Sequence, residues 1–376
     1  MKGTRVEVDL DALKYNYLQM RDLIPLDVKI AGIVKANAYG HDLITVSQEL
    51  VALGVDYLGV ASMSEAKAIR RHEPHIPILI MGRVHEDDYD YAVKLNITLT
   101  LFNLEDARKL NLNASYDEKK VKVHIKFDSG FNRLGYKSIK DVIEALEDIY
   151  TYDFLEVEGI FTHLGLLDVD SDEAQFQRFD ALVKAIADRG WQIPIKHVCD
   201  SIGAVAYPNN SYNMVRLGAI LYGYCSRSTP FKLRPVMSLK TNITRVTQVN
   251  IGEGVGYDYT FRAERVSRIA TLPIGYADGL PRCLSNQGYV SVQGKPAKIV
   301  GLMCMDQCMI DVTDIDDVNE WDEVVVFNDT LPTLTDVARM AGTNRNEILS
   351  SIAMRVPRVI MKSEEKIRTI RYLDGM

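Results

Sequence analysis

The chain has 376 residues, 47% of them hydrophobic, and 44 lysines and arginines against 51 aspartates and glutamates give it a formal net charge of −7. That length exceeds what one compact core usually absorbs, so a large domain plus a smaller one is expected, and the acidic balance argues against a nucleic-acid partner, which calls for a clustered basic surface. No apolar run approaches membrane-spanning length, MKGTRVEVDLDALKYN at the N-terminus has no signal-like apolar core, and the five cysteines form no CxxC pair, so the sequence predicts a cytoplasmic protein with no membrane partner and no metal.

The predicted elements begin with apolar, β-branched runs at 29–34 (KIAGIV), 57–61 (YLGVA), 76–82 (IPILIMG), 97–102 (ITLTLF), 121–127 (VKVHIKF), 157–163 (VEGIFTH), 193–198 (IPIKHV) and 212–218 (YNMVRLG), eight candidate strands. Between most of them lie stretches with apolar residues three and four apart, among them LITVSQELVALG, SEAKAIRRHE, LEDARKLNL, IKDVIEALEDI and DEAQFQRFDALVKAIADRG, which predict helices. Eight alternations favour an α/β architecture closed as an N-terminal (β/α)8 barrel over residues 1–235. From 236 the pattern changes to closely spaced strand-like runs separated by Gly, Asn and Asp turns, which predicts a mostly β C-terminal domain over 236–376. One amphipathic stretch, TLTDVARMAGTNRNEILSSIAMRV, interrupts it, with Thr333 or Thr335 as the helix cap.

In such a barrel the active site lies at the C-terminal ends of the strands. The polar residues just past the apolar runs are therefore the candidates: Lys35, Arg133, His163, Ser201 and Arg216. Each alone has an ordinary structural explanation, and only their shared position at strand ends gives them weight. A lysine at a barrel mouth can form a Schiff base, and backbone amides in RLGAILYG with Ser201 and Tyr39 can hold an anion. With an arginine facing the ring nitrogen, this set suits pyridoxal phosphate, an electron sink. Other motifs carry less. GEGVG (252–256) lacks dinucleotide-loop spacing, and DVDSD (168–172) continues with Glu173 and Phe179 where a calcium loop needs glycine and glutamate. DVTDIDDVNEWDE reads as a solvated acidic surface, and CMDQC has no further metal ligands beside it.

Together these residues resemble the alanine racemase family. The resemblance runs through VKANAYGH, KFDSGFNRLG, TH at 162–163, VRLGAILYG, GVGYDYTF, LPIGYADG, CMDQCMIDV and RVPRVI, in order along essentially the whole chain. It implies a barrel followed by a β domain, a head-to-tail homodimer and a pyridoxal 5'-phosphate cofactor carried by Lys35. By the same resemblance Tyr39, Ser201, Gly218 and Ala219 contact the phosphate, His163 lies against the cofactor ring and Arg216 faces its nitrogen. Tyr257 is implied as a second base acting in the partner's site, and Arg133 and Met305 as neighbours of the substrate carboxylate. Asp168, Tyr276, Arg282 and position 354 match the entrance, and Lys126 matches a lysine that is carbamylated in some members. The implied reaction is two-base racemisation of alanine: a proton leaves one face of Cα and returns to the other, so acid/base groups must stand on both sides.

The sequence departs from the family pattern at Met354, where a tyrosine is usual, at Asn132 in GFN, at Cys199 and Asp200 in HVCDS, and at Asp42 after His41. These departures keep open a racemase preferring serine or a broader amino-acid set, and, further off, a decarboxylase on the same fold. Supply of D-amino acids for peptidoglycan is the implied biological use.

Overall fold

The computed structural model describes residues 3–374, which form two compact units. One contains Lys14–Ala38 and Leu43–Leu233. After an N-terminal strand β1 (Arg5–Asp9), which lies in the other unit, its strands are β2 (Lys29–Ile33), β3 (Tyr57–Val60), β4 (Ile78–Ile80), β5 (Thr98–Leu101), β6 (Val121–Lys126), β7 (Leu155–Phe161), β8 (Ile195–His197) and β9 (Met214–Leu217). All eight expected runs are strands. They pair in parallel in the order β8-β7-β6-β5-β4-β3-β2-β9. The seam between β8 and β9 is closed by Arg216 N–H to Cys199 O at 3.0 Å and by Lys196 N–H to Asn213 Oδ1 at 2.6 Å. The result is the (β/α)8 barrel. Strands β3 and β4 are buried along their whole length and read as unbroken apolar runs rather than alternating ones; β5 and β9 are equally buried but carry Thr98, Thr100 and Arg216.

Capping residues start the barrel helices where the apolar periodicity begins. Ser62, Asn103, Ser138 and Asp168 each accept a backbone N–H of the first turn that follows them, satisfying donors that a helix start otherwise leaves orphaned. Helix Ile139–Ile149 then buries Val142, Ile143, Ala145, Leu146 and Ile149 along one face.

Among the described residues, the other unit gathers 3–13, Tyr39–Asp42 and 234–374. Residues through Leu13, within the 1–235 span drawn from the sequence, here supply a strand to the β sheet: β1 pairs antiparallel with Met237–Asn242 and parallel with Arg358–Lys362. Among the described residues this sheet has ten strands, and the mostly β character follows the sequence pattern. The single amphipathic stretch is in fact two helices, Leu334–Met340 and Arg345–Ser351. Gly342, at φ +68°, ends the first helix in the left-handed region, and Asn344 caps the second. Thr333, not Thr335, is the first cap, its hydroxyl accepting the Asp336 N–H while Asp336 reaches back to the Thr333 amide.

Candidate active site

Lys35 follows β2 after Val34, and from there the backbone turns the wrong way round. Ala36, Asn37, Ala38 and Tyr39 all have φ between 52° and 55°. A left-handed turn costs roughly 1–2 kcal/mol per non-glycine residue, so neighbours must fix it. Glu65 accepts Ala36 N–H at 2.6 Å, Asn37 Oδ1 accepts Leu43 N–H at 2.7 Å, and Ala38 N–H reaches Val34 O at 2.8 Å. Two residues on, Gly40 has φ +83°, and a Cβ there would lie 2.2 Å from Leu349 O. The buried Arg358 donates to Gly40 O at 3.0 Å and to the carbonyls of Ile352, Ala353 and Val356.

At the same rim of the barrel the other candidates come together. Arg216, on β9, is 4% exposed. Its Nη2 donates to Val198 O at 2.8 Å, Thr162 O at 3.0 Å and His163 Nδ1 at 3.3 Å. Ser201 Oγ accepts Gly218 N–H at 2.8 Å, and Gly218 and Ala219 open a turn in which Leu221 N–H returns to Gly218 O. Arg133 lies with its guanidinium carbon 4.4 Å from the Phe131 ring centre, and that ring is 5.0 Å from His163. A small cavity is lined by Lys126, Phe131, Arg133, Thr162 and His163.

The electrostatics follow from this crowding of cations. Burial, followed by the charges of Arg216, Lys126, Arg133 and Lys35, lowers His163 from 6.5 to about 2, so the ring is neutral. Because Arg216 can only donate, His163 Nδ1 accepts and its proton sits on Nε2. Burial and then Arg133 lower Lys35 below the ordinary lysine range, against the opposing pull of Glu65. Lys126, 7% exposed, is lowered further by burial, Arg216 and Arg133. Burial brings Arg216 from 12.5 to about 10 and leaves it charged at neutral pH.

The remaining candidates lie in the β unit. Tyr257 is 67% exposed on a short turn entered through Gly256 at φ +72°. Tyr276 opens the turn Tyr276–Asp278, whose Ala277 N–H reaches Met305 O at 3.0 Å, while Arg282 begins the next turn. Asp278, which the sequence pattern did not single out, holds this region together. It accepts Gly275 N–H at 2.9 Å and Arg355 Nε at 2.7 Å, and Arg355 also reaches Asp306 at 2.6 Å. Met354, beside Arg355, is exposed.

Several departures have local physical reasons. Asn132 has φ +62°, a conformation asparagine tolerates better than most residues, and its N–H joins that of Gly130 on Asp128 Oδ1. Asp200 caps Ser201–Ala206 by accepting Ile202 and Gly203 N–H at 3.0 and 2.9 Å. Asp42, at φ +91°, accepts the Tyr372 hydroxyl at 2.8 Å. Asp168 caps helix Val169–Asp188 through Ser171, which accounts for DVDSD without calcium. Glu65 was missed although Ser62 and Glu65 spell a capping box, because its second role toward Ala36 is a contact between distant segments. Among the described residues no helix is long and apolar enough to cross a membrane, and no group of three or more His, Cys, Asp or Glu is placed to hold a metal ion.

A parallel barrel with a lysine–histidine–arginine cluster at its C-terminal rim, in a chain that continues as a β domain, defines a class of two-domain barrel enzymes. Residues 8–226 match the family model described as the alanine racemase N-terminal domain, and residues 236–360 match the alanine racemase C-terminal domain. The chain belongs to the alanine racemase family. Alanine racemase 2 of Caldanaerobacter subterraneus subsp. tengcongensis is 40% identical over 383 residues, covering 99% of this chain and 98% of that one. The solved alanine racemase of Clostridium difficile 630 is similar with a TM-score of 0.95 at 34% identity, over 99% of each chain. That of Bacillus anthracis with bound L-Ala-P gives a TM-score of 0.94 at 32% identity, over 100% of this chain and 99% of that one.

Proposed function

We propose that the protein interconverts L- and D-alanine, using pyridoxal 5'-phosphate held through Lys35. The observation that carries this reading is the convergence of Lys35, Lys126, Arg133 and Arg216 on one neutral histidine, His163, at the barrel rim. Such a concentration of positive charge fits a ligand with a phosphate and a substrate with a carboxylate, and the donor set is of the right kind. Lys35, lowered in pKa, would supply a nucleophilic amine; the Ser201 hydroxyl and the Gly218 and Ala219 amides, with Tyr39, would supply phosphate donors; Arg216 would stand toward the ring nitrogen. When bound, pyridoxal phosphate acts as an electron sink that makes the Cα proton of an amino acid removable.

The side chains then divide the proton work. Lys35 Nζ takes and returns the proton on one face of Cα, and the Tyr257 hydroxyl of a second copy does so on the other. An ordinary tyrosine, near pKa 10, is a weak base at neutral pH, so its phenolate must be stabilised. His163, accepting from Arg216 at Nδ1, is left with an Nε2–H able to donate to that phenolate. On this reading Arg133 and Met305 would meet the substrate, and Asp168, Tyr276, Arg282 and Met354 would belong to its entrance. The family relation and the neighbours' printed names favour alanine over serine and racemisation over decarboxylation. A homodimer working in the cytoplasm to supply D-alanine for peptidoglycan completes the reading.

The test is a chiral assay of L-alanine, with L-serine in parallel, using purified protein and added cofactor. Wild type is expected to produce D-alanine and to show the absorption of a lysine-bound cofactor; Lys35→Ala should lose both. Release of carbon dioxide, or racemisation that survives Lys35→Ala, would overturn the reading.

A further inference from the structure

A line of hydrogen bonds leaves Arg216 in the direction away from His163 and runs through the barrel interior. Arg216 Nη1 donates to His197 Nδ1 at 2.9 Å, His197 Nε2 stands 2.9 Å from His124 Nδ1, and His124 Nε2 stands 3.4 Å from Glu158 Oε2. Both imidazoles are 0% exposed, and Glu158 is 6% exposed. The barrel is shaped around them. A Cβ at Gly159 would fall 2.5 Å from the His124 ring, and Phe161 stacks on His197 with ring centres 4.5 Å apart.

The two ends of this line permit one arrangement only. A guanidinium donates and never accepts; a carboxylate accepts and never donates; a neutral imidazole has one nitrogen of each kind. His197 Nδ1 must therefore accept from Arg216, so its proton lies on Nε2 and points to His124 Nδ1. That leaves the His124 proton on Nε2, directed at Glu158. Burial keeps both rings neutral, lowering His124 and, with the charge of Arg216, His197. Although burial raises it, Glu158 is held at about 2 by hydrogen bonds from His124, Lys122 and Tyr57, so the accepting end is always a carboxylate at neutral pH.

We propose that Glu158 is a positioning residue for Arg216, acting through two neutral histidines whose tautomers the pair fixes from opposite ends. No proton moves along the line. Its effect is to present a lone pair to Arg216 Nη1 and so hold the guanidinium plane in one orientation. The consequence for turnover rests on the proposed role of Arg216 toward the cofactor ring, whereas the tautomers do not.

The experiment is 15N NMR of histidine-labelled protein at neutral pH, freed of cofactor, with His124→Gln and His197→Gln used for assignment. Wild type is expected to show both rings neutral with the proton on Nε2. Glu158→Leu, which removes the acceptor, should give a mixture of His124 tautomers. In the loaded enzyme it should lower kcat about threefold to tenfold, the value of one buried hydrogen bond, with KM nearly unchanged. Glu158→Gln keeps an acceptor oxygen but not the charge, and it should restore both the single tautomer and most of kcat. If Glu158 served only as an ion-pair partner of Lys122, glutamine would behave like leucine. A proton on Nδ1 of either ring in wild type, a charged ring, or a Glu158→Gln variant matching Glu158→Leu would overturn the proposal. If wild type shows the stated tautomers but racemises nothing, the relay stands and the functional reading of the site falls.

Discussion

Replacing His163 by glutamine should remove one step from the acid sensitivity of folding. In the folded protein, burial and four neighbouring cations hold the ring neutral with a pKa near 2; in the unfolded chain it titrates near 6.5. Below about pH 6.5 the unfolded chain therefore binds a proton that the folded one does not, so stability is complete above that pH and is lost as pH falls toward 2. Integrated between pH 8 and pH 5, one such histidine removes about 2 kcal/mol. His124 and His197 are shifted in the same direction, but they are present in both proteins and cancel in the comparison. Glutamine can still accept the Arg216 N–H, so the variant keeps the fold's contact while losing the titration. The assay is urea unfolding of cofactor-free protein at fixed concentration at pH 8, 6.5 and 5. The stability difference between wild type and His163→Gln should shift by about 2 kcal/mol in favour of the variant on going to pH 5. Parallel curves across that range would refute the claim that His163 is held neutral by its surroundings.

Asp200→Ala removes the side-chain cap of Ser201–Ala206 and should cost about 1 kcal/mol in thermal or urea unfolding; an unchanged midpoint would mean that the cap is idle. Asn132→Val places a β-branched residue at φ +62° and should cost roughly 1–2 kcal/mol while raising KM for alanine more than it lowers kcat, since the strained loop carries Arg133. Met354→Tyr replaces an adaptable side chain by a rigid phenol, and the panel of accepted amino acids should narrow toward alanine in the chiral assay. An identical panel would detach position 354 from selectivity.

How much was legible in the sequence varied with the range of the interaction. The eight strands were readable because strands covered on both faces are predominantly apolar and β-branched, and the helices because their buried faces recur every three or four residues. Arg133, His163, Ser201 and Arg216 could be chosen because a barrel's topology alone carries strand ends to one rim. Position 342 misled, since an amphipathic pattern running across a glycine looks like one helix. Asp278 and Glu65 escaped notice because their partners, Arg355 and Ala36, are far away in the chain.

The sequence by itself determined the barrel, the β continuation and the family, because periodicity and ordered motifs are local properties of the chain. Only the tertiary structure decided that residues after Lys35 wind left-handed: ANAY has no glycine, and the conformation is paid for by Glu65, which reaches Ala36 from another segment, together with the local bond from Leu43 N–H to Asn37. It likewise decided which nitrogen of His163, His197 and His124 carries the proton. A histidine's letter leaves two tautomers and a charge open; an arginine at one end of a buried line and a carboxylate at the other leave one.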